Sequence, residues 1–157
     1  KQPAIVEEFL PGREFTVAML GNGDGLKVLP LVEMDFSTLP DGAAHIYSYE
    51  AKWIYDTPEK PLEIFTCPAD VDTDLRESIE EVCIRAFNVL DVRDWCRTDV
   101  RLDEEGVPNI IELNPLPGII PAPECNSCFP KAARAMGMDY KAIVNTVVES
   151  ARERYDI

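Results

Sequence analysis

No apolar run in this sequence approaches the roughly 20 residues that a membrane-spanning helix needs. The first residues also lack the basic and apolar regions of a secretion signal. The five cysteines are an odd number, which together with the missing signal indicates reduced thiols and a cytoplasmic location. We therefore expect neither a membrane partner nor a disulfide framework.

Basic residues are scarce, with 15 lysines and arginines against 29 acidic residues and a net charge of −14. This balance argues against binding to nucleic acids or to anionic membranes. The scarcity of basic residues also leaves few cations for a phosphate-binding site, because such sites normally contain lysines and arginines. Either cations from elsewhere or metal ions would have to neutralise a bound phosphate.

Two further patterns are incomplete. Cys125 and Cys128 form a single C-x-x-C pair with no second pair and no nearby histidine, which favours ordinary loop thiols and leaves a zinc or redox role as the alternative. The glycines of residues 21–25 are not followed by Lys-Ser or Lys-Thr, so they predict a hairpin turn and not a phosphate loop.

The apolar periodicity predicts both strands and helices. Alternation predicts a strand over residues 14–20 and its partner over 26–34, followed by a loop over 35–60 that includes a strand-like aromatic stretch at 46–53. Helical spacing begins at Thr73, with Asp72 or Thr73 as its cap, and a second hairpin covers residues 96–114. Pro130 begins a short helix that Gly137 ends, and the last helix begins near Asp139. This order predicts an α+β fold, an antiparallel sheet with helices packed on one face.

The second hairpin carries the candidate chemistry. Glu112 and Asn114 are two residues apart, and therefore about 7 Å apart on one face of a strand. Asp99 lies near their level on the adjacent strand, with Arg97 one step further along the same face. Carboxylate and amide oxygens suit Mg²⁺. A solvated polar face is the alternative, but Glu112 stands inside the apolar run 110–113, where a charge is costly unless it is paired or binds a metal.

Several motifs, in order, resemble the C-terminal part of the ATP-grasp fold, closest to the D-alanine–D-alanine ligase family. They are the hairpin with its exit Asn114-Pro115-Leu116-Pro117-Gly118, the linker-like segment 6–17, Tyr49-Glu50-Ala51-Lys52, Cys67-Pro68-Ala69 and the segment 127–133. The resemblance covers essentially the whole chain, residues 1–157, as one C-terminal ATP-grasp subdomain. It implies that an N-terminal substrate domain and a first ATP-grasp subdomain are absent. The first residue is Lys1 and not Met, so we expect a fragment of a longer protein.

The resemblance also implies a role for individual residues. One Mg²⁺ ion, or Mn²⁺ in its place, would be bound by Asp99 and Glu112, and a second by Glu112 and Asn114. Arg97 and the backbone N–H of Gly118 would stabilise the tetrahedral intermediate, and Ser127 would hold the carboxylate of the second substrate. The residues implied in ATP binding are Glu7, Glu8 and Leu10 at the adenine, Glu14 at the ribose and Lys52 at the phosphates.

The implied activity is that of an ATP- and Mg²⁺-dependent ligase, which forms an amide bond between amino-acid or dipeptide substrates in peptidoglycan precursor synthesis. Its partners would be the missing N-terminal domains, and the resemblance admits a homodimer. One departure is the loop 119–126, longer than in ligases of this type, which borders the second-substrate pocket. A ligase for another amino-acid pair, or a non-catalytic nucleotide-binding or assembly module, is therefore the alternative. The isolated 157 residues should be inactive.

Overall fold

The computed structural model describes residues 2–57 and 62–157; the last positions of the predicted loop, 58–60, lie outside them. Within these ranges, six strands form one sheet. The strands are β1 (Glu14–Leu20), β2 (Lys27–Val28), β3 (Val32–Met34), β4 (Phe65–Thr66), β5 (Trp95–Leu102) and β6 (Pro108–Asn114). The helices are α1 (Thr73–Val89), α2 (Cys128–Ala135) and α3 (Tyr140–Tyr155). No described helix has the length and apolar character that crossing a membrane requires.

Strand β1 lies at the centre of the sheet. The strand order is β4-β3-β1-β5-β6, every pairing is antiparallel, and β2 pairs with the far end of β1. Alternate residues Glu14, Thr16 and Ala18 lie opposite Arg101, Asp99 and Arg97 of β5. The register therefore places the polar residues of β5 beside the polar start of β1.

The helices cover both faces of the sheet. Phe15, Val17 and Met19 of β1 pack in one core with residues of α1, whereas Ala18 and Leu20 pack in a second core with residues of α2 and α3. The α+β class and the antiparallel sheet are confirmed, but the prediction of helices on one face is wrong. The reason is that β1 carries apolar side chains on both of its faces, so each face needs a cover.

The predicted helix starts agree with the observed caps. The Asp72 carboxylate accepts a hydrogen bond from Leu75 N at 2.8 Å, and the Asp139 carboxylate accepts one from Ala142 N at 2.7 Å. These bonds satisfy backbone donors of the first helical turn. Helix α2 begins two residues before Pro130, and Gly137 follows its end with φ of +79°, a conformation that favours glycine.

Two segments differ from their sequence predictions. The strand predicted over residues 26–34 is divided into β2 and β3, with Pro30, which has no backbone N–H to donate, between them. The stretch 46–53 is not strand-like, because Ala51–Tyr55 forms one π-helical turn. Asp56 N donates to Ala51 O at 3.0 Å, five residues apart as in a π-helix, and the Ser48 hydroxyl accepts from Ala51 N at 3.2 Å at the start of the turn.

Candidate active site

A cavity of about 420 Å³ opens beside β1, β5 and β6, on the face of the sheet that α2 covers. The side chains and backbone that line it come from strands and from the loops before α2. Seven of the residues to which the resemblance assigns a role lie in its wall: Glu14, Lys52, Arg97, Asp99, Glu112, Gly118 and Ser127. The fold therefore brings together residues that are more than 100 positions apart in the chain.

Arg97 is the centre of the charged cluster. Its Nε and Nη2 atoms donate to Asp99 Oδ1 and Oδ2 at 3.0 and 2.8 Å, which is a two-point contact. Nη2 also donates to Glu112 Oε1 at 3.1 Å. Thr16 Oγ1 donates to Asp99 Oδ1 at 3.1 Å from the neighbouring strand. One guanidinium thus contacts two carboxylates that face the cavity.

A β-bulge in β6 sets which side chains face the site. Asp99 pairs with Glu112, but the next residue of β5, Val100, pairs with Ile110, so Ile111 is the extra residue. Strict alternation along β6 would place Ile110 on the face of Glu112 and Ile111 on the opposite face, and the bulge overturns this expectation. Ile110 packs against the α1 core, whereas Ile111 lines the cavity. A bulge reverses the alternation beyond it, and the alternating pattern alone does not reveal it.

The two carboxylates have different electrostatic surroundings. Burial raises the pKa of Asp99, and the hydrogen bonds and charge of Arg97 offset part of that rise. The hydrogen bond from the Asn114 amide holds the pKa of Glu112 below its ordinary value, and burial opposes it. Burial lowers the pKa of Arg97, but the hydrogen bond and charge of Asp99, together with the charge of Glu112, leave it raised, so Arg97 stays a cation. Glu112, with 55% of its side chain exposed against 13% for Asp99, is the more accessible ligand.

The donor set fits a hard divalent cation that is shared with another ligand. Asp99 and Glu112 offer carboxylate oxygens, and Asn114 offers its amide oxygen, since its Nδ2 donates to Glu112 Oε1 at 2.8 Å. Across residues 2–57 and 62–157, no group of three or more His, Cys, Asp or Glu side chains could hold a metal ion. Further oxygen ligands would therefore have to come from a bound phosphate or from water.

The predicted ATP-binding residues divide into two groups. Glu14 and Lys52 line the cavity. Glu7, Glu8 and Leu10 lie outside its wall, on a segment whose side chains are mostly exposed, and their role at the adenine stays a prediction.

Where this segment meets the sheet, Gly12 N donates to Leu102 O at 3.0 Å, and a Cβ at Gly12 would lie 2.5 Å from that oxygen. Only glycine fits this approach.

Ser127 and Gly118 also line the cavity. Ser127 occupies the N-cap position of α2, but its side chain makes no capping hydrogen bond. Its hydroxyl instead accepts from Ile120 N at 3.1 Å and donates to Gly118 O at 3.4 Å. The serine therefore contacts Gly118, the last residue of the turn 114–118, and Ile120, which lies two residues beyond it.

Comparison with known proteins gives a match along almost the whole chain. The family model described as D-ala D-ala ligase C-terminus matches residues 1–149. The chain belongs to this family. It is 34% identical over 155 residues to an uncharacterized protein of Sinorhizobium fredii, covering 98% of this chain and 42% of that protein. It is 34% identical over 147 residues to a D-alanine–D-alanine ligase of Bordetella avium, covering 94% of this chain and 42% of that protein.

Solved structures give the same fold. A D-alanine–D-alanine ligase from Bacillus anthracis, complexed with ATP, is similar with a TM-score of 0.67 and 23% sequence identity. The match covers 96% of this chain and 42% of that one. The chain thus spans about two fifths of the length of its relatives, in the C-terminal portion that the family model describes.

Within this D-ala D-ala ligase C-terminal fold, the Asp56 carboxylate is the centre of a polar network that the sequence did not predict. The Asp56 carboxylate accepts from Asn126 Nδ2 at 2.7 Å, from Leu62 N at 3.0 Å and from the Tyr47 hydroxyl at 3.1 Å. It joins the segment after the π-helical turn to the long loop before α2. Asp56 and Asn126 are 70 residues apart, so no local pattern pairs them.

The C-x-x-C pair does not supply a reactive thiol to the cavity. Cys128 lines the cavity at the start of α2, where burial raises its pKa to about 12 and the negative charge of Asp99 adds to the rise. A thiol with such a pKa is protonated at neutral pH and is a poor nucleophile. Cys125 and Cys128 are both free cysteines, and their interpretation as ordinary loop thiols stays a prediction.

Proposed function

We propose that this chain is the metal-binding part of an ATP-dependent carboxylate–amine ligase of D-alanine–D-alanine ligase type. The γ-phosphoryl group of ATP would pass to the carboxylate of a first amino acid. The amine of a second would attack the acyl phosphate, form the amide bond and release phosphate. The observation that carries the proposal is the cavity in which Arg97, Asp99 and Glu112 face Gly118 and Ser127.

Asp99, Glu112 and Asn114 are the residues that would hold Mg²⁺. The bound cation would neutralise charge on the phosphates of ATP. Asp99 is kept in place by Thr16 and Arg97, and Glu112 by Arg97 and Asn114. The two carboxylates are therefore preorganised before any ligand arrives, which reduces the reorganisation that binding would require.

Arg97 and the backbone N–H of Gly118 are suited to stabilise negative charge that develops on the reacting carboxylate. Fixed donors in a partly buried site act without reorganisation at the moment of reaction. Ser127 would donate its hydroxyl to the carboxylate of the second substrate, in exchange for its present 3.4 Å bond to Gly118 O. The bond from Ile120 N holds the serine oxygen at the cavity wall.

The substrates and the setting extend the same proposal. We infer D-alanine as the first pair to test, by similarity to the relatives named above, with a dipeptide product that serves peptidoglycan precursor synthesis in the cytoplasm. The N-terminal domains of the full-length protein would supply further phosphate-binding groups, and a homodimer is compatible with this scheme. The loop 119–126 supplies Ile120 and Asn126 to the cavity and would therefore help to select the second substrate.

Glu112→Gln in the full-length protein tests the proposal. The change keeps the shape of the side chain but removes its charge, so phosphate release from ATP with D-alanine should fall by at least about 10³-fold. Glu105→Gln, on the exposed turn of the same hairpin, is the matched control and should keep wild-type turnover. Turnover that survives in Glu112→Gln would refute the metal assignment. A wild-type protein that binds ADP but ligates no amino-acid pair would favour the non-catalytic module.

A further inference from the structure

Arg101 is a buried cation that the proposed reaction does not use. It lies on β5 two residues beyond Asp99, and only 5% of its surface is exposed. The chain has a net charge of −14, and among its described residues Arg101 is the arginine that is buried. Burying a guanidinium is costly unless its donors are well paired, and a buried ion pair is weak evidence of a purely stabilising role.

The contacts of Arg101 are directed at Glu14. Its Nη1 donates to Glu14 Oε2 at 2.9 Å, and Nη2 donates to the carbonyl of His45 at 2.7 Å. The side chains of the pair are 6% and 13% exposed. Among the described residues, the buried Nε of Arg101 has no hydrogen-bond partner. This donor is unsatisfied inside the fold, a costly feature that calls for an explanation.

The position of the pair relative to the metal ligands is fixed by the strand register. Arg97, Asp99 and Arg101 follow one another on one face of β5, opposite Ala18, Thr16 and Glu14. Four residues of strand span about 13 Å. A nucleotide whose phosphates lie near Asp99 would therefore extend its sugar toward Glu14, which lines the same cavity.

Aromatic rings enclose the guanidinium. The rings of Phe9 and Phe36 have their centroids 5.1 and 5.3 Å from Arg101 Cζ, within the range of cation–π contacts. Phe9 belongs to the segment that was predicted to contact adenine. Arg101 therefore links this segment to the carboxylate at the cavity.

We propose that Arg101 is a positioning residue for the ribose of ATP, which holds the Glu14 carboxylate at the cavity in the orientation that accepts hydrogen bonds from the sugar hydroxyls. The inference rests on the proposed function, because it requires a nucleotide in this cavity. It assigns Arg101 an effect on nucleotide discrimination and not on the chemistry of phosphoryl transfer. Arg101 acts through Glu14, so the two residues should behave as one unit.

Equilibrium binding of ADP and of 2′-deoxy-ADP to the full-length protein, measured by calorimetry without turnover, tests the inference. Wild type should bind ADP at least about 10-fold more tightly than 2′-deoxy-ADP, since a hydrogen bond to a charged group is lost. Arg101→Met, which keeps length but removes the charge, and Glu14→Gln should each reduce this ratio to below about 3-fold. The double variant should reduce it no further, as expected for coupled residues.

Arg13→Met is the matched control. Arg13 also pairs with a glutamate, Glu33 at 2.6 Å, and also lies over a phenylalanine ring, but it is absent from the cavity wall. It should keep the wild-type ratio. In turnover, Arg101→Met should raise the KM for ATP and leave kcat close to wild type.

The outcomes separate this inference from the proposed function. An unchanged ADP to 2′-deoxy-ADP ratio in Arg101→Met, with a lower melting temperature, would show a structural role only and overturn the inference. If Arg101→Met does not fold, Arg101→Lys replaces it. A ratio of ADP to 2′-deoxy-ADP affinity in Arg101→Lys that lies between those of Glu14→Gln and wild type would support the positioning role. A wild-type ratio in Glu14→Gln would refute it. Wild type that binds no ADP would instead refute the proposed function.

Discussion

Asp94 joins the end of α3 to the far end of the central strand. Its carboxylate accepts from Arg154 Nε and Nη2 at 3.0 and 2.7 Å and from Asn22 Nδ2 at 2.8 Å. The hydrogen bond from Arg154 holds its pKa below the ordinary range, although burial opposes this shift. Its φ of +67° lies in the left-handed region, which aspartate and asparagine tolerate better than most residues.

We expect Asp94→Asn to destabilise the protein at neutral pH by about 1–3 kcal/mol, because a charged hydrogen-bond acceptor is lost while the backbone remains acceptable. The folded pKa is lowered, so the contribution is complete above the unfolded value of about 3.9 and is lost as pH falls through the folded pKa. Thermal unfolding should therefore show a smaller gap in stability between wild type and variant at pH 3 than at pH 7.

Asp91→Asn provides the control for this comparison. Asp91 also has a positive φ, of 56°, and also pairs with an arginine, Arg93, but 77% of its side chain is exposed. Exposed pairs contribute little, so this variant should unfold close to wild type at both pH values. A gap between wild type and Asp94→Asn that stayed constant from pH 7 to pH 3 would contradict the assignment to the Arg154 pair.

At the scale of elements, the bulge in β6 directs the side chains of two adjacent residues to different places, one to the core and one to the cavity. Ile110 packs in the core under α1, whereas Ile111 is 54% exposed and lines the cavity. Apolar surface that a ligand covers contributes to its affinity, and apolar surface inside a core contributes to folding. The two isoleucines should therefore respond differently to the same substitution.

Ile111→Ala should weaken ATP binding by about 1 kcal/mol, which is roughly 5-fold in the KM, with little change in the melting temperature. Ile110→Ala should show the reverse, a clear loss of stability with the KM for ATP near wild type. Steady-state kinetics and thermal unfolding of both variants check this pair of expectations. A larger loss of stability in Ile111→Ala than in Ile110→Ala would show that the bulge has been assigned to the wrong residue.

The same elements show how far the sequence carries the fold and the site. Alternation placed Arg97 and Asp99 on one face, and the hairpin predicted that Asp99 and Glu112 would be close, as the register confirms. The bulge at Ile111 was not predictable, because it depends on how the two strands pair and not on the residues of one strand. The meeting of Asp56 with Asn126 depends on two loops that only the tertiary fold brings together. Local periodicity carries no information about such contacts.

For the molecule as a whole, charge and size point to a shared site. The chain carries a net charge of −14, and the cations that line its cavity are Arg97 and Lys52 among the described residues. ATP carries several negative charges, so an acidic chain repels it unless other cations act nearby. The relatives are more than twice as long as the region they share with this chain, which leaves room for those cations in their remaining portion.

The 157 residues alone should therefore release no phosphate from ATP with D-alanine, under conditions in which the full-length protein turns over. The cavity carries Arg97 and the two candidate carboxylate ligands, Asp99 and Glu112, but the adenine-contacting segment that we predict has exposed side chains and lies outside the cavity wall. Parallel assays of the two proteins at equal concentration check this, with circular dichroism to establish that the shorter one is folded. Ligation by the folded 157 residues alone would mean that this part contains a complete site, and that the shared-site argument is wrong.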